Sequence, residues 1–278
     1  MDTDEKLTSE LQYEWQKGLK KLARESNVDS FSLHESLGRF PSFKKELLDF
    51  IILNSSTKTK ALEVGVGSRS FLLDYFSHSA SPDFWQQNHL TLLDWSKAHL
   101  LNLDAQIKLE YAAFESLFNL EILEADFLTL LQGVEQCNQK KYDFIFDAHC
   151  LHCHLPSTGL REYYWDSVAR NLKQGGVFYA QHLCLVRHDN ELSQNFLNSS
   201  YHFDRDLSEL WLRSDDFDSV DLPLRYIPTI MRLEQELVAL EKTHGLKLSI
   251  FKFHSDITLY NYGPEFPMVS FLLDKIKA

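Results

Sequence analysis

The stretch Lys60-Ala-Leu-Glu-Val-Gly-Val-Gly-Ser-Arg-Ser-Phe-Leu-Leu73 decides how the chain is read. Ala61 to Val64 are short and apolar enough for a buried strand, with Glu63 as the exception. Gly65 and Gly67 follow, and a backbone without Cβ can turn sharply there and let a ligand come close. Ser68 or Ser70 can cap a helix. Phe71, Leu72, Leu73, Tyr75 and Phe76 give that helix its apolar side. Strand, glycine turn and helix in this order open a doubly wound α/β domain, which binds ligands at the carboxyl ends of its strands.

Glu63 narrows the choice of ligand. A dinucleotide turn uses Gly-x-Gly-x-x-Gly, with a helix N-terminus facing a pyrophosphate. Ser70 stands at the third glycine of that pattern, and an acid two residues before the first glycine repels phosphate. The same acid suits a ligand carrying an ammonium and a sulfonium. Glu63-x-Gly65-x-Gly67 resembles the first motif of class I S-adenosylmethionine-dependent methyltransferases, with Arg69 where that family often has a third glycine. The resemblance implies S-adenosylmethionine as cofactor and methyl transfer as activity. Two other functions stay open: an NAD-dependent oxidoreductase on the same fold, and a nucleotide- or S-adenosylmethionine-binding protein without chemistry.

The 278 residues suffice for one large domain with a cap, and 44% hydrophobic and 24% charged residues are those of an ordinary globular chain. A net charge of −12 argues against nucleic acid as the main partner, since phosphate backbones need concentrated Lys and Arg. No secretory signal, long apolar span or lipidation motif is visible, so a cytoplasmic protein without a membrane partner is expected. The four cysteines do not form a secreted disulfide framework.

Residues 1–58 are expected to form an N-terminal helical cap. Leu7, Leu11, Trp15, Leu19 and Leu22 recur at helical spacing, and Phe43, Leu47, Phe50, Ile51 and Leu53 mark a second helix. Residues 59–278 form the α/β domain, a seven-stranded, mostly parallel sheet. His89–Asp94 is its second strand, followed by a helix from Ser96 and an extra amphipathic helix over 103–118. Leu120–Phe127 is the third strand and Tyr142–Asp147 the fourth. Thr158–Leu172 is a helix, and Lys173-Gln-Gly-Gly-Val177 turns into a fifth strand, Val177–Gln181. The acidic segment 184–226 departs from this alternation and is expected as a lid or cap insertion. Pro228 opens a helix ended by Gly245, and Leu246–Phe253 and Phe266–Leu273 supply two last strands, one of them antiparallel.

Asp94 ends the second strand, where doubly wound folds place an acid for the two ribose hydroxyls. Leu93-Asp94-Trp95-Ser96 resembles the family's second motif, which implies a cofactor role for Asp94 and Trp95. By the same resemblance Asp126 would hydrogen-bond the adenine amino group and Phe127 would pack on the ring. The Leu172-Lys-Gln-Gly-Gly turn is a further likeness.

His149, Cys150, His152, Cys153 and His154 form an unusual cluster after the fourth strand. A zinc site needs a second ligand pair at defined spacing, which the chain does not offer, so no metal is expected. A Cys150–Cys153 redox pair would belong at a helix start in a thioredoxin-like unit. Phe144-Ile-Phe-Asp-Ala-His-Cys-Leu-His152 instead resembles the substrate-facing loop of small-molecule methyltransferases, including the thiopurine and tellurite types. That likeness implies that Asp147, His149 and His152 face the methyl group and the acceptor, with Asp147 also beside the cofactor. A small-molecule acceptor is expected from the compact size, the acidity and the absence of an added recognition module, and the oligomeric state is not legible.

Overall fold

A computed structural model describes residues 59–67, 70–73, 88–94, 97–111, 119–125, 127, 141–147, 158–184, 201–204, 209–212, 225–254 and 268–276. Strands β1 (Lys60–Val64), β2 (His89–Asp94), β3 (Asn119–Glu124), β4 (Tyr142–Asp147) and β5 (Leu172–Leu183) run parallel. With β9 (Leu246–His254) and β10 (Met268–Lys275) they make one seven-stranded sheet in the order β3-β2-β1-β4-β5-β10-β9. Only β10 opposes its neighbours, pairing antiparallel with both β5 and β9. The expected architecture is therefore present, and the order reverses between β1 and β4, where such sheets open a ligand crevice.

The central strands β1, β2 and β4 are buried on both faces, as parallel strands inside such a sheet require. Strand alternation sends Ala61, Leu90, Leu92, Phe144 and Phe146 to one face. There they meet Phe71, Leu72 and Leu73, and Leu100, Leu103 and Ile107 of α1 (Lys97–Glu110). Leu62, Val64, Leu93, Ile145 and Phe178 go to the other face. They pack on Tyr164, Trp165 and Val168 of α2 (Thr158–Asn171) and on Leu233, Leu237 and Leu240 of α3 (Ile230–His244). Full burial of one such side chain contributes roughly 1.5–3 kcal/mol, so the two layers fix the strand register.

Several expected boundaries move. The helix expected from Ser96 is present as α1 from Lys97 and runs unbroken to Glu110. The part of 103–118 up to Glu110 therefore belongs to it and is not a separate helix, while 112–118 lie outside the described residues. The Gly-Gly turn does not interrupt the sheet. Tyr142 pairs with Leu172 and Phe144 with Val177, so Lys173–Gly176 bulge within one continuous β5. Gly176 is required there, because a Cβ would come within 2.9 Å of the Lys173 carbonyl oxygen and 3.1 Å of two others on β4. Pro228 ends a strand and does not open the helix; Thr229 is the N-cap, its hydroxyl accepting from the Arg232 amide at 3.2 Å. Gly245 ends α3 at φ 65°, its N–H donating to the Leu240 carbonyl.

The expected insertion 184–226 holds β6 (Tyr201–Asp204) and β7 (Glu209–Leu212), which pair antiparallel with each other. β8 (Arg225–Pro228) joins β7 to complete a separate three-stranded sheet. β8 lies against β5 and continues through Thr229 into α3. The helices expected over 1–58 lie outside the described residues, and among those described no helix is long and apolar enough to cross a membrane.

Candidate functional site

Glu63 comes from the middle of the sheet, yet its carboxylate does not point into open space. It is fully buried and caps the helix that begins at Phe71. The Phe71 amide donates to Oε1 at 2.9 Å, and the Leu72 amide to Oε2 at 3.1 Å. Ser70 Oγ donates to Oε2 at 2.6 Å and itself accepts the Leu73 amide at 2.9 Å, which makes Ser70 the N-cap. Burial pushes the Glu63 pKa up to about 7, and the hydrogen bonds from Ser70, Phe71 and Leu72 pull against that rise. The acid read as a cofactor contact thus first shapes the turn.

Gly65 and Gly67 carry φ of 69° and 62°, a region costly for any residue with a Cβ. The Gly65 and Val66 amides donate to the Leu93 carbonyl at 2.9 and 3.1 Å, stitching the turn to β2. A Cβ built on Gly67 would meet nothing within 4 Å, so the backbone there has open space above it.

Asp94, at the end of β2, faces the same turn. Its Oδ2 accepts the Gly67 amide at 2.8 Å, and its Oδ1 lies 3.6 Å from His99 Nδ1 on α1. The Asp94 carboxylate raises the His99 pKa, first as a side-chain acceptor and then through its charge, while partial burial opposes it. His99 has no sequence signature, because a histidine early in an amphipathic helix looks like any half-exposed polar residue.

Asp147 and Phe127 go to the opposite face. Asp147 is fully buried at the end of β4 and accepts a hydrogen bond from the Tyr164 hydroxyl on α2. Phe127 packs on the Tyr164 ring at 5.3 Å between centroids, and its carbonyl accepts from Ser167 Oγ at 2.9 Å. The structure therefore brings Glu63, Gly65, Gly67 and Asp94 together, and sets Asp147 with Phe127 around Tyr164. Trp95, Asp126, His149 and His152 lie outside the described residues.

A second polar group escaped the sequence reading. Arg161 on α2 is buried and grips Glu236 on α3 with both Nε and Nη2, at 2.8 to 3.3 Å. Trp165 Nε1 donates to the same carboxylate at 2.8 Å. Arg161 Nη1 lies 3.4 Å from Nε2 of the buried His182, at the carboxyl end of β5. A guanidinium can only donate, so this nitrogen of His182 is the acceptor. Arg161 and Glu236 are 75 residues apart, and no local pattern links them.

No protein-family model matches the chain, and no curated protein matches it by sequence. Its fold, however, is shared with solved structures. An S-adenosylmethionine-dependent methyltransferase from Methanosarcina mazei has 15% identity and a TM-score of 0.56, over 82% of this chain and 98% of that one. The 1,6-didemethyltoxoflavin-N1-methyltransferase of Burkholderia thailandensis, solved with 1,6-didemethyltoxoflavin and S-adenosylhomocysteine, has 11% identity and a TM-score of 0.53. That match covers 98% of this chain and 88% of the enzyme. The [4+2]-cyclase SpnF has 12% identity and a TM-score of 0.51, over 84% and 81% of the two chains. The chain has the class I methyltransferase fold, and SpnF carries a different named activity on it.

Proposed function

We propose that the protein is an S-adenosylmethionine-dependent methyltransferase acting on a small molecule. One observation carries this reading: a glycine turn held from below by a buried acid and bonded at Gly67 to the acid that ends β2. A pyrophosphate would meet the Asp94 carboxylate at this turn, whereas a ribose diol would find an acceptor. The open backbone at Gly67 leaves room for such a ligand.

In this reading Asp94 accepts the ribose hydroxyls, Gly65 and Gly67 give the cofactor its close approach, and Glu63 keeps the turn in shape. Trp95 and Asp126 are assigned to the adenine, while Phe127 packs on Tyr164. The bound cofactor supplies an electrophilic methyl group. The chain supplies positioning, which can account for a large share of such a rate. His152, with His149, is assigned to the acceptor side, where an imidazole near neutrality can take the acceptor's proton. Asp147 is instead held at the end of β4 by the Tyr164 hydroxyl. Residues 1–58 and the segment 184–226 are read as caps over the site, in the cytoplasm. The place of β8 beside β5 supports the second cap. The small-molecule acceptor agrees with the Burkholderia neighbour, which binds one.

Thermal denaturation with S-adenosylhomocysteine tests the reading. A hundredfold excess over the dissociation constant should stabilise the protein by about 2.7 kcal/mol. No shift at millimolar ligand removes the cofactor assignment.

A further inference from the structure

Asp94 has a hydrogen bond at one carboxylate oxygen and a protonatable ring nitrogen within ion-pair range of the other. The Gly67 amide donates to Oδ2 at 2.8 Å, and His99 Nδ1 stands 3.6 Å from Oδ1. Asp94 is almost completely buried, whereas the His99 side chain is 37% exposed at the start of α1. One contact comes from the turn after β1 and the other from the helix after β2, so the carboxylate is approached from two elements.

We propose that His99 is a positioning residue for the nucleoside site, orienting Asp94 toward a ribose while the Gly67 amide holds the other oxygen. The inference rests on the ribose role given to Asp94 above. An ionised carboxylate has about four lone-pair sites, so a contact at each oxygen does not preclude further donors. A carboxylate free to rotate would lose that freedom on binding and so would bind a diol more weakly. Covering the pair with a ligand also strengthens its charge attraction, because less water screens it. The imidazolium form is then favoured in the complex, and affinity falls as pH rises through the His99 titration.

Other ionisable groups at this end of the described elements are Glu63 on β1, Lys97 at the start of α1, and Glu124, which faces Asp94 across the β2–β3 ladder. Glu63 itself titrates near neutrality, so the His99 contribution has to be read as a difference between variants.

The experiment uses the full chain and 5′-methylthioadenosine, which has the ribose diol and no group of its own titrating between about pH 6 and 8.5. Calorimetry over that range compares wild type with His99→Phe, which removes the polar ring, and His99→Gln, which keeps a donor that does not titrate. His99→Phe should weaken binding about two- to fivefold at the low end of the pH range, the range of one partly exposed ion pair. His99→Gln should recover most of that loss and show a flatter pH profile than wild type. Wild-type affinity at every pH in His99→Phe, or an unchanged profile in His99→Gln, overturns the proposal. Asp94→Asn separates the two layers. If it binds normally, the ribose role of Asp94 is wrong. If it alone loses binding, only the His99 inference fails.

Discussion

A fully buried glutamate and a partly buried one, on opposite faces of one sheet, are held in different ways. Glu63 has no cation among its hydrogen-bond partners; a serine hydroxyl and two amides of a helix start satisfy it. Glu236 is gripped by a guanidinium and an indole N–H that join two helices. The first arrangement leaves a carboxyl poised to take a proton near neutrality. The second is a fixed ion pair whose worth lies in where it places α2 and α3, since a buried pair adds little stability over an apolar one. The glycine turn thus rests on a responsive group, and the helix layer opposite rests on a rigid clamp.

The largest expected effect breaks the clamp. Glu236→Leu leaves the Arg161 charge buried without its carboxylate and should destabilise by roughly 3–5 kcal/mol. The double variant Arg161→Met with Glu236→Leu should recover most of that loss in urea denaturation. A double variant as unstable as the single one would show that the pair matters for more than charge compensation.

Glu63 sharpens the contrast through pH. Its folded pKa lies above the ordinary carboxylate value, so the folded state holds a proton that the unfolded chain releases. The associated stability is fully present below pH 4.5 and falls as pH rises toward 7. The difference is on the order of 3 kcal/mol. Urea midpoints of wild type and Glu63→Gln across this range should converge or cross, because glutamine has no such slope. Parallel curves would mean that Glu63 stays ionised throughout.

Ser70→Ala is the smallest change, with a loss of about 1 kcal/mol for one N-cap. It also removes a hydrogen bond that lowers the Glu63 pKa, so the pH-dependent fall should move to higher pH. A loss of stability with no movement of the window would confine Ser70 to capping.

The same two faces explain what the sequence made legible. Strand order, the glycine turn and the acid of β2 are written in short contiguous patterns, because each strand ends at the turn or acid it delivers. Glu63 was legible as a residue but not in its contacts, since its partners lie one turn ahead on the helix. The direction of Asp147 follows from strand parity: Val64, Leu93 and Asp147 align in the ladder and share the face of α2. Tyr164 then claims it, and a strand-end acid alone does not announce such a partner. Arg161 reads as a solvated helix residue until α3 is folded against it. His99 becomes notable only when Asp94 is placed 3.6 Å away.

The most direct measurement is a pair of calorimetric titrations, S-adenosylhomocysteine and NADH into wild type and into Asp94→Ala. The account predicts that wild type binds S-adenosylhomocysteine and not NADH. Asp94→Ala should weaken that binding by about 1.5–3 kcal/mol through loss of hydrogen bonds to a charged acceptor. Tight binding of NADH, or unchanged S-adenosylhomocysteine affinity in Asp94→Ala, would contradict it.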